Sequence, residues 1–472
     1  MGYHPEQFSE DWVYAIAKDF KSPNGEAAQW ASGQPAGDGQ EQYRIPLSST
    51  PTAASANANG TLMALGQEHD IHVYNINDMS LHQVLKGHIS RVDTLEFHPT
   101  DPNKLLSSAM NQRGGSVKAE PVIIFWNVEK KQELLDETVI KDLGARAASV
   151  VADNLKELTS TWTMSHKERE DLAQDVASSL TALNIKSTIQ AMTQIHGRLA
   201  HNFGSHTYNC DGTSMVYLPG PRPRSNTVDD WDICIWDTGK QEIKHTLKGH
   251  TDSLMWIGFS PNDELIASVS WDQTFRIWSH ANGQLLHVFK SNQQNWTGGF
   301  SPDSRFFAGT SGDGHLFIFD VVQGIEIAVH DFRRPSGWFR TLSWSPHGKQ
   351  LVLGGRDCGP VFVYDIESRS MVQERLLSTK KCPEESRRFI GGHLEICSAQ
   401  YLDGGRKIAY KMPGDGSVEV YDFEENRKWR FAPEAKKQDW QSDLLVFERV
   451  GLIASMDADA VRFWKIPLRS KC

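Results

Sequence analysis

The sequence predicts an all-β fold built from repeated four-stranded sheets, and three observations support this. Eight short segments share a strand-like pattern that ends in an aromatic residue, and some of them, such as 71–74 and 418–421, alternate in polarity as half-buried strands do. Each follows another strand-like segment and a turn containing Pro, Asp, Asn or Gly, which set the backbone angles of tight turns. The units recur roughly every 40 residues, a period typical of propeller blades. The eight segments are 71–74, 123–126, 233–236, 275–278, 316–319, 361–364, 418–421 and 461–464.

The count of these segments predicts a β-propeller of eight blades, with seven as the alternative if the first or last unit is something else. The last unit, 440–466, supplies only three strands. This would leave an unpaired edge that invites aggregation. We therefore expect residues 42–48 to pair beside the strand at 461–466, with Pro46 placed where no backbone donor is needed. The propeller then spans 42–468.

Residues 1–41 are expected to form an N-terminal extension and linker. Gly, Ala, Gln and Pro are frequent in 21–41, a composition typical of flexible connections. Before this stretch, Trp12, Ile16 and Phe20 recur at the spacing of a short amphipathic helix.

Residues 136–202 interrupt the repeat with a different spacing of apolar residues. Apolar residues such as Val139, Leu143 and Val150 recur there at helical spacing, and 165–168 has the form of a helix capping box. A second such box at 187–190 precedes Met192, Ile195 and Leu199. The pattern predicts two or three helices inserted between blades two and three. They are interpreted either as an inert decoration or as a partner-binding module.

One unit resembles a WD repeat, and the resemblance extends with lower fidelity over 53–468. It is carried by Gly249-His250, Phe259-Ser260-Pro261, 267–274 and Ile277-Trp278, with Gly87-His88, Gly392-His393 and Trp236-Asp237 as partial copies. The resemblance implies that His250, Ser268, Asp272 and Trp278 form a buried, structural hydrogen-bond chain. A catalytic triad of the same residue types is disfavoured, because the next unit has no histidine at the matching position.

Composition and motifs disfavour several classes of function. The net charge of −10 is unlike that of a globally basic nucleic-acid binder, and no apolar run long enough to span a membrane occurs. The N-terminus lacks the apolar core of a secretory signal, and the six cysteines form no C-x-x-C pair. Phosphate-loop, nucleophile-elbow, zinc-protease and dinucleotide motifs are missing. We therefore expect no enzyme activity, cofactor or metal; the acidic run 456–459 falls in a turn.

Basic and aromatic residues concentrate in two classes of loop that the predicted topology brings to one face. Arginine matches carboxylate and phosphate geometry, and Trp and Arg are common interface anchors. In the family that the chain resembles, this face often receives ligands. The predicted partner-binding residues are Arg222, Arg224, Arg333, Arg334, Trp338, Arg340, Arg356 and Lys381.

The expected function is that of a scaffold that holds other proteins, including acidic or phosphorylated segments, within a hetero-complex. The alternative interpretation of the basic residues is that charged residues are common in surface loops and bind no partner there. The alternative functions are an RNA-associated propeller subunit and an enzyme with an unrecognised site. The expected compartment is the cytoplasm, with the nucleus left open.

Overall fold

A computed structural model of the chain describes residues 16–34, 41–109, 121–129, 137–158, 164–190, 193–200, 205–221, 231–332, 338–355, 360–377, 396, 398–412, 416–432 and 444–466. Strands dominate these residues, and two helices interrupt them. The fold is therefore all-β with a local helical segment.

The strands follow one another along the chain in short antiparallel runs. The N-terminal strands are β1 (Ile16–Lys18), β2 (Gln29–Trp30) and β3 (Tyr43–Pro46). The next are β4 (Ala53–Ala56), β5 (Leu62–Gln67), β6 (Asp70–Asn75), β7 (Leu81–Lys86), β8 (Val92–Phe97), β9 (Lys104–Ala109) and β10 (Val122–Asn127). After the helices α1 (Glu137–Leu158) and α2 (His166–Gln190) come β11 (Gln194–Arg198), β12 (Ser214–Pro219), β13 (Ile233–Asp237) and β14 (Glu242–Leu247).

The second half of the chain is more regular. It contains β15 (Leu254–Phe259), β16 (Leu265–Ser270), β17 (Thr274–Ser279), β18 (Leu285–Lys290), β19 (Asn295–Phe300), β20 (Phe306–Ser311), β21 (His315–Asp320), β22 (Ile325–Asp331), β23 (Phe339–Trp344), β24 (Gln350–Gly355), β25 (Val361–Asp365) and β26 (Ser370–Leu377). The last strands are β27 (Ser398–Leu402), β28 (Lys407–Met412), β29 (Ser417–Asp422), β30 (Arg427–Phe431), β31 (Leu444–Phe447), β32 (Leu452–Met456) and β33 (Ala460–Lys465).

In the described part of the chain these strands pair into seven sheets. β4–β7, β15–β18 and β19–β22 are four-stranded meanders, and β31–β33 are joined by β3. β23–β26 and β27–β30 each gain one N-terminal strand and become five-stranded. β8–β14 form one seven-stranded sheet because β11 pairs with both its neighbours: Ile195 lies opposite Ile123 of β10, and Arg198 lies opposite Leu218 of β12.

First strands of successive sets lie side by side for β4 and β8 and for β15, β19, β23 and β27, and Gln400 of β27 donates a hydrogen bond to Leu444 O of β31. Residues 205–209 take this inner position between β8 and β15, where His206 N donates to Ile257 O and Thr207 N donates to the Glu96 carboxylate. β31 lies beside β4, so the row of sheets closes on itself as a β-propeller does.

The hydrophobic core is divided into clusters that lie between neighbouring sheets. Phe275, Phe307 and Phe319, for example, fill the space between β15–β18 and β19–β22. Among the aromatic residues that end the third strands, Trp126 and Trp278 are 2% exposed and Tyr74 is 8% exposed, whereas Trp236 is only half-buried. Burying a large apolar side chain contributes about 1.5–3 kcal/mol, so the contacts between sheets are a main source of stability.

The last sheet receives its fourth strand from the N-terminal segment. β3 runs antiparallel to β33, with Tyr43 opposite Phe463 and Pro46 opposite Ala460 at the end of the ladder. Ile45 is buried in the cluster shared by the last and the first sheet. On the surface of the last sheet, Arg44 Nη2 forms an ion pair with Asp459 Oδ2 at 3.1 Å.

The segment before β3 differs from its predicted helix and linker. β1 pairs with the outer edge of β26, and β2 pairs in parallel with β30. Phe20 is fully buried and stacks on Tyr421 at 4.5 Å. Pairing with the outer edges of β26 and β30, together with burial of Phe20 against Tyr421, thus stabilises an extended chain at β1 and β2. Trp12 and 35–40 lie outside the described residues.

The helical insertion also differs in place and extent from the prediction. α1 and α2 separate β10 from β11, which are neighbours in one sheet, so the helices interrupt a sheet instead of joining two sheets. Ile195, predicted to be helical, lies in β11. The free outer edge of β10 favours strand pairing there over a third helix.

Candidate partner-binding surface

One end of every sheet collects the connections that were predicted to bind partners. Because the strands alternate in direction, links from a second to a third strand and from a fourth strand to the next first strand leave at the same end. We call this end the upper face. Six predicted residues, Arg222, Arg224, Arg333, Arg334, Arg356 and Lys381, belong to such links but lie outside the described residues. Trp338 and Arg340 are described.

Trp338 and Arg340 form a compact aromatic–cationic cluster on the upper face. Trp338 directly precedes β23, and its ring stacks on Trp296 at 4.7 Å between centroids. The Arg340 guanidinium lies over both rings, 5.0 Å from the centre of Trp296 and 5.4 Å from that of Trp338. Such cation–π contacts contribute about 0.5–1 kcal/mol at partly exposed sites and hold the guanidinium in place.

Two tryptophans of this cluster were not predicted from the sequence. Trp296 is the second residue of β19, and Trp271 follows β16 and meets Trp296 edge to face at 5.4 Å. Their position at the upper ends of inner strands was the available signal, since Arg340 occupies the same position in β23. We call Trp271, Trp296, Trp338 and Arg340 the Trp–Arg cluster.

The four residues named by the WD resemblance come together below the upper face. His250 Nδ1 lies 2.7 Å from Asp272 Oδ2, and His250 Nε2 lies 2.7 Å from Ser268 Oγ. Trp278 Nε1 donates to the same Ser268 hydroxyl at 2.9 Å. Gly249 precedes the histidine at φ +133°, and a Cβ there would lie 2.4 Å from Arg276 Nη1, which explains the Gly-His pair.

This chain of hydrogen bonds is closed to a substrate. Ser268 is fully buried, and its hydroxyl both accepts from Trp278 and bonds to His250. The His250 and Asp272 side chains are 1% and 3% exposed. A triad needs a nucleophile that a substrate can reach, and here the hydroxyl is fully engaged inside the protein.

The protonation states of His250 and Asp272 are those that this chain of hydrogen bonds requires. Burial lowers the pKa of His250, so the imidazole is neutral, donates from Nδ1 to Asp272 and accepts from Ser268 at Nε2. Burial alone would raise the pKa of Asp272, but hydrogen bonds from His250, Thr274 and the Thr251 N–H outweigh it and hold the pKa at about 2. Every member of the chain therefore has a partner.

A shorter version of this chain occurs in the sheet that contains β8–β10. His88 Nε2 lies 2.6 Å from Ser107 Oγ, which also accepts from Trp126 Nε1 at 2.7 Å. Burial lowers the pKa of His88 to about 3. The other partial copy, Gly392-His393, lies outside the described residues.

We expect the free energy of unfolding to fall as the pH drops below about 6.5, the ordinary pKa of histidine. The unfolded chain takes up a proton at His88 near this pH, whereas the folded chain does so only near pH 3. Between these values protons favour the unfolded state. At pH 5 His88 alone should cost about 2 kcal/mol relative to pH 7.5, with His250 acting in the same direction. Urea titrations at the two pH values measure this.

Substitution separates His88 from the other titrating groups. His88→Gln should reduce the difference in unfolding free energy between pH 7.5 and 5. His166→Gln, at a side chain 88% exposed, should leave the difference unchanged. The expectation fails if both variants have the pH dependence of the unaltered chain.

The acidic turn 456–459 is neutralised by cations. Asp457 accepts from Arg462 Nη1 at 2.5 Å and from Lys411 Nζ at 3.3 Å, and all three side chains are at most 4% exposed. Asp459 bonds to Arg462 and to Arg44. Within the described ranges no three His, Cys, Asp or Glu side chains are grouped so that they could hold a metal ion. Among the described residues, neither α1 nor α2 contains an uncharged apolar stretch of the length that spans a bilayer.

Comparison with known proteins gives similarities over parts of the sequence and over the whole fold. The family model described as WD domain, G-beta repeat matches residues 241–279. Periodic tryptophan protein 2 of Arabidopsis thaliana is 32% identical over 33% of this chain and 19% of its own length. WD repeat-containing protein AAC3 of Dictyostelium discoideum is 24% identical over 46% of this chain and 43% of its own length. Pre-mRNA-processing factor 19 of Bos taurus is 27% identical over 30% of this chain and 28% of its own length.

The chain spans less than half the length of the curated relatives that it matches. Among solved structures, the crystal structure of Saccharomyces cerevisiae Sqt1 superimposes with a TM-score of 0.60 at 11% sequence identity. It covers 91% of this chain and 99% of its own chain. At this identity the likeness concerns the fold.

Proposed function

Because this chain belongs to the WD-repeat family, we propose that it acts as a non-catalytic scaffold that holds other proteins together on the upper face of its propeller. The observation that carries the proposal is the Trp–Arg cluster, a pre-positioned guanidinium on a rigid ring of sheets. We propose the cytoplasm as its location, with the nucleus as the alternative that the name of one relative, pre-mRNA-processing factor 19, favours.

The ring is proposed to comprise eight blades, with the seven-stranded sheet counted as two. Support comes from the eight buried apolar clusters of the described residues, since each is shared by two successive sets of strands. The domain boundaries proposed with it are an extension at 1–41, a propeller at 42–468 and an insertion within 136–202, from which β11 belongs to the propeller.

The proposed ligand of the upper face is an acidic or phosphorylated segment of another protein. A guanidinium held over two indole rings keeps its orientation, so a carboxylate or phosphate meets an ordered donor. Tryptophan and arginine are also the residues that most often dominate binding energy at interfaces. Arg222, Arg224, Arg333, Arg334, Arg356 and Lys381 are proposed to extend this positive surface around the cluster.

Arg340→Glu is expected to weaken capture of the partner at least about tenfold, the effect of losing about 1.4 kcal/mol from a central anchor. Lys349→Glu is the matched control, because Lys349 is an exposed cation in the turn at the opposite end of the same sheet. Affinity purification of both variants from the native cell, with quantitative mass spectrometry, measures the recovery of each partner. A normal melting temperature shows that each variant is folded.

The outcomes separate the possible ligands. Loss of a partner with Arg340→Glu and not with Lys349→Glu supports the proposed surface, and the triple replacement of Arg333, Arg334 and Arg340 by Glu should deepen the loss. Phosphatase treatment of the lysate removes a phosphorylated ligand and leaves an acidic one bound. Full recovery of every partner by the triple variant excludes the surface.

A second candidate function is that of an RNA-associated subunit, favoured by the similarity to a pre-mRNA-processing factor. The net charge of −10 disfavours it. Binding of RNA by the pure protein that falls steeply with salt concentration would support this function over the protein scaffold.

A further inference from the structure

The inserted helices form a hairpin with unusually close internal packing. Seven residues join α1 to α2 and span at most about 25 Å, less than the roughly 33 Å length of α1, so the helices run antiparallel. They meet along Ile140, Gly144, Ala148 and Ala152 of α1. A Cβ at Gly144 would lie 2.5 Å from the Ala173 carbonyl oxygen and 3.2 Å from Ala177 Cβ. Small residues thus make up most of the contact between the two helices, and most of the larger apolar residues lie outside this contact.

Those larger residues form a second stripe on each helix, and little covers them. On α1 Val139, Leu143 and Val150 are 45%, 40% and 59% exposed. On α2 Leu183 is 63% exposed, while Leu172 and Val176 are half-buried. Exposed apolar residues are common singly, but a row of them on each of two packed helices is typical of interaction sites. On α1 the exposed Arg146 interrupts the row between Leu143 and Val150.

Both stripes lie on the same side of the hairpin. Val139 and Leu143 directly precede the packing residues Ile140 and Gly144, and Leu172 and Val176 directly precede Ala173 and Ala177. The stripe is therefore rotated in the same sense, by about 100°, from the contact line of each helix. An antiparallel pair is related by an approximate twofold axis normal to the hairpin, which keeps equivalent stripes on one face. We call this surface the apolar hairpin face.

The charges around the apolar hairpin face are mixed in sign. Each helix carries three Lys or Arg and four Asp or Glu, so neither bears a large net charge. Asp142 and Arg146 already form an ion pair on α1 at 2.7 Å. Two copies of the face could approach without strong repulsion, and an acidic or a basic partner has no preferred patch here.

We propose that the apolar hairpin face binds the same face of a second copy of this chain, and that the two hairpins form a four-helix bundle that joins two propellers. Two helices about 33 Å long and 10 Å wide present roughly 650 Å², close to the 800 Å² that each partner contributes to a standard interface. A four-helix bundle is the smallest assembly in which two such hairpins bury their stripes against each other. The helices link β10, a third strand, to β11, a fourth strand, so the insertion leaves its sheet at the end opposite the upper face.

The test compares two double variants of the full chain. Val150→Glu with Leu183→Glu places two charges on the apolar hairpin face. Ser149→Glu with Ser178→Glu places the same two charges on neighbouring exposed residues of the opposite side. Light scattering after size exclusion, at tens of micromolar protein, should give about twice the 53.0 kDa chain mass for the unaltered and control proteins. The face variant should be monomeric, with a dissociation constant raised at least about a hundredfold.

Circular dichroism and melting curves show that the face variant is folded, since both of its substitutions are at exposed positions. A dimer that persists in the face variant overturns the proposal, as does an unaltered protein that is monomeric throughout this concentration range. A monomer that instead copurifies with a different chain, lost only in the face variant, also overturns it and assigns the face to a heterologous helix.

Discussion

Deleting residues 1–48 is expected to abolish cooperative thermal unfolding. Without β3 the last sheet keeps an unpaired edge on β33, and the cluster between the last and first sheets loses Ile45. Removing one buried Ile side chain costs about 2–5 kcal/mol, and the deletion also removes β1, β2 and the buried ring of Phe20. Together these losses approach the total stability of an ordinary protein, about 5–15 kcal/mol. Differential scanning calorimetry should show one sharp transition for the full chain and none for the deletion.

Smaller changes separate the closing strand from the rest of the N-terminal segment. Ile45→Ala should lose about 2–5 kcal/mol because Ile45 is 5% exposed. Tyr43→Ala, in the same strand but 46% exposed, should lose much less. Closure by β3 is refuted if the 1–48 deletion melts cooperatively at the temperature of the full chain.

Asp457→Ala is expected to destabilise the chain by about 3–5 kcal/mol, the usual cost of leaving buried partners of an ion pair uncompensated. Asp457 faces two cations, Arg462 and Lys411, whose side chains are 2% and 0% exposed. Arg462 keeps its ion pairs with Glu41 and Asp459, so the largest loss falls on Lys411, whose fully buried ammonium group water cannot reach. The shift of the urea midpoint at constant slope measures the loss.

Asp459→Ala is the matched control for this prediction. Asp459 also contacts Arg462 and lies two residues after Asp457, but its side chain is 21% exposed. Water can therefore solvate the arginine groups that lose this carboxylate. It should cost about 1 kcal/mol or less. If the two variants have equal unfolding free energies, burial of the ion pair is not what makes Asp457 important.

The repeated part of the fold could be predicted because its signal is local. Segments such as 123–126 and 275–278 are rich in β-branched and aromatic residues and end in tryptophan, and they lie within β10 and β17. The all-β propeller follows from repeating that local pattern, and the comparison with Sqt1 supports it. His250 and Asp272 could be paired in advance only through the WD resemblance, since 22 residues separate them.

The parts that differ depend on contacts that local patterns do not contain. Gln194–Arg198 follows a helical pattern, and only the free edge of β10 makes it a strand. β1 and β2 are two or three residues long and pair with strands more than 350 residues away. In the Trp–Arg cluster, Trp296 meets Trp338 because β19 and β23 lie side by side, which follows from the order of the sheets.

The pairing of β3 with β33 has a consequence for biosynthesis. Tyr43 precedes its partner Phe463 by 420 residues, so at about 5–20 residues per second a ribosome needs roughly 20–80 s to supply that partner. Until then β3 has no partner strand, and its unpaired edge must avoid wrong pairings with other strands. β3 is therefore among the last strands to find its native partner although it is made long before that partner, and translation of β33 sets the earliest time at which the ring can close.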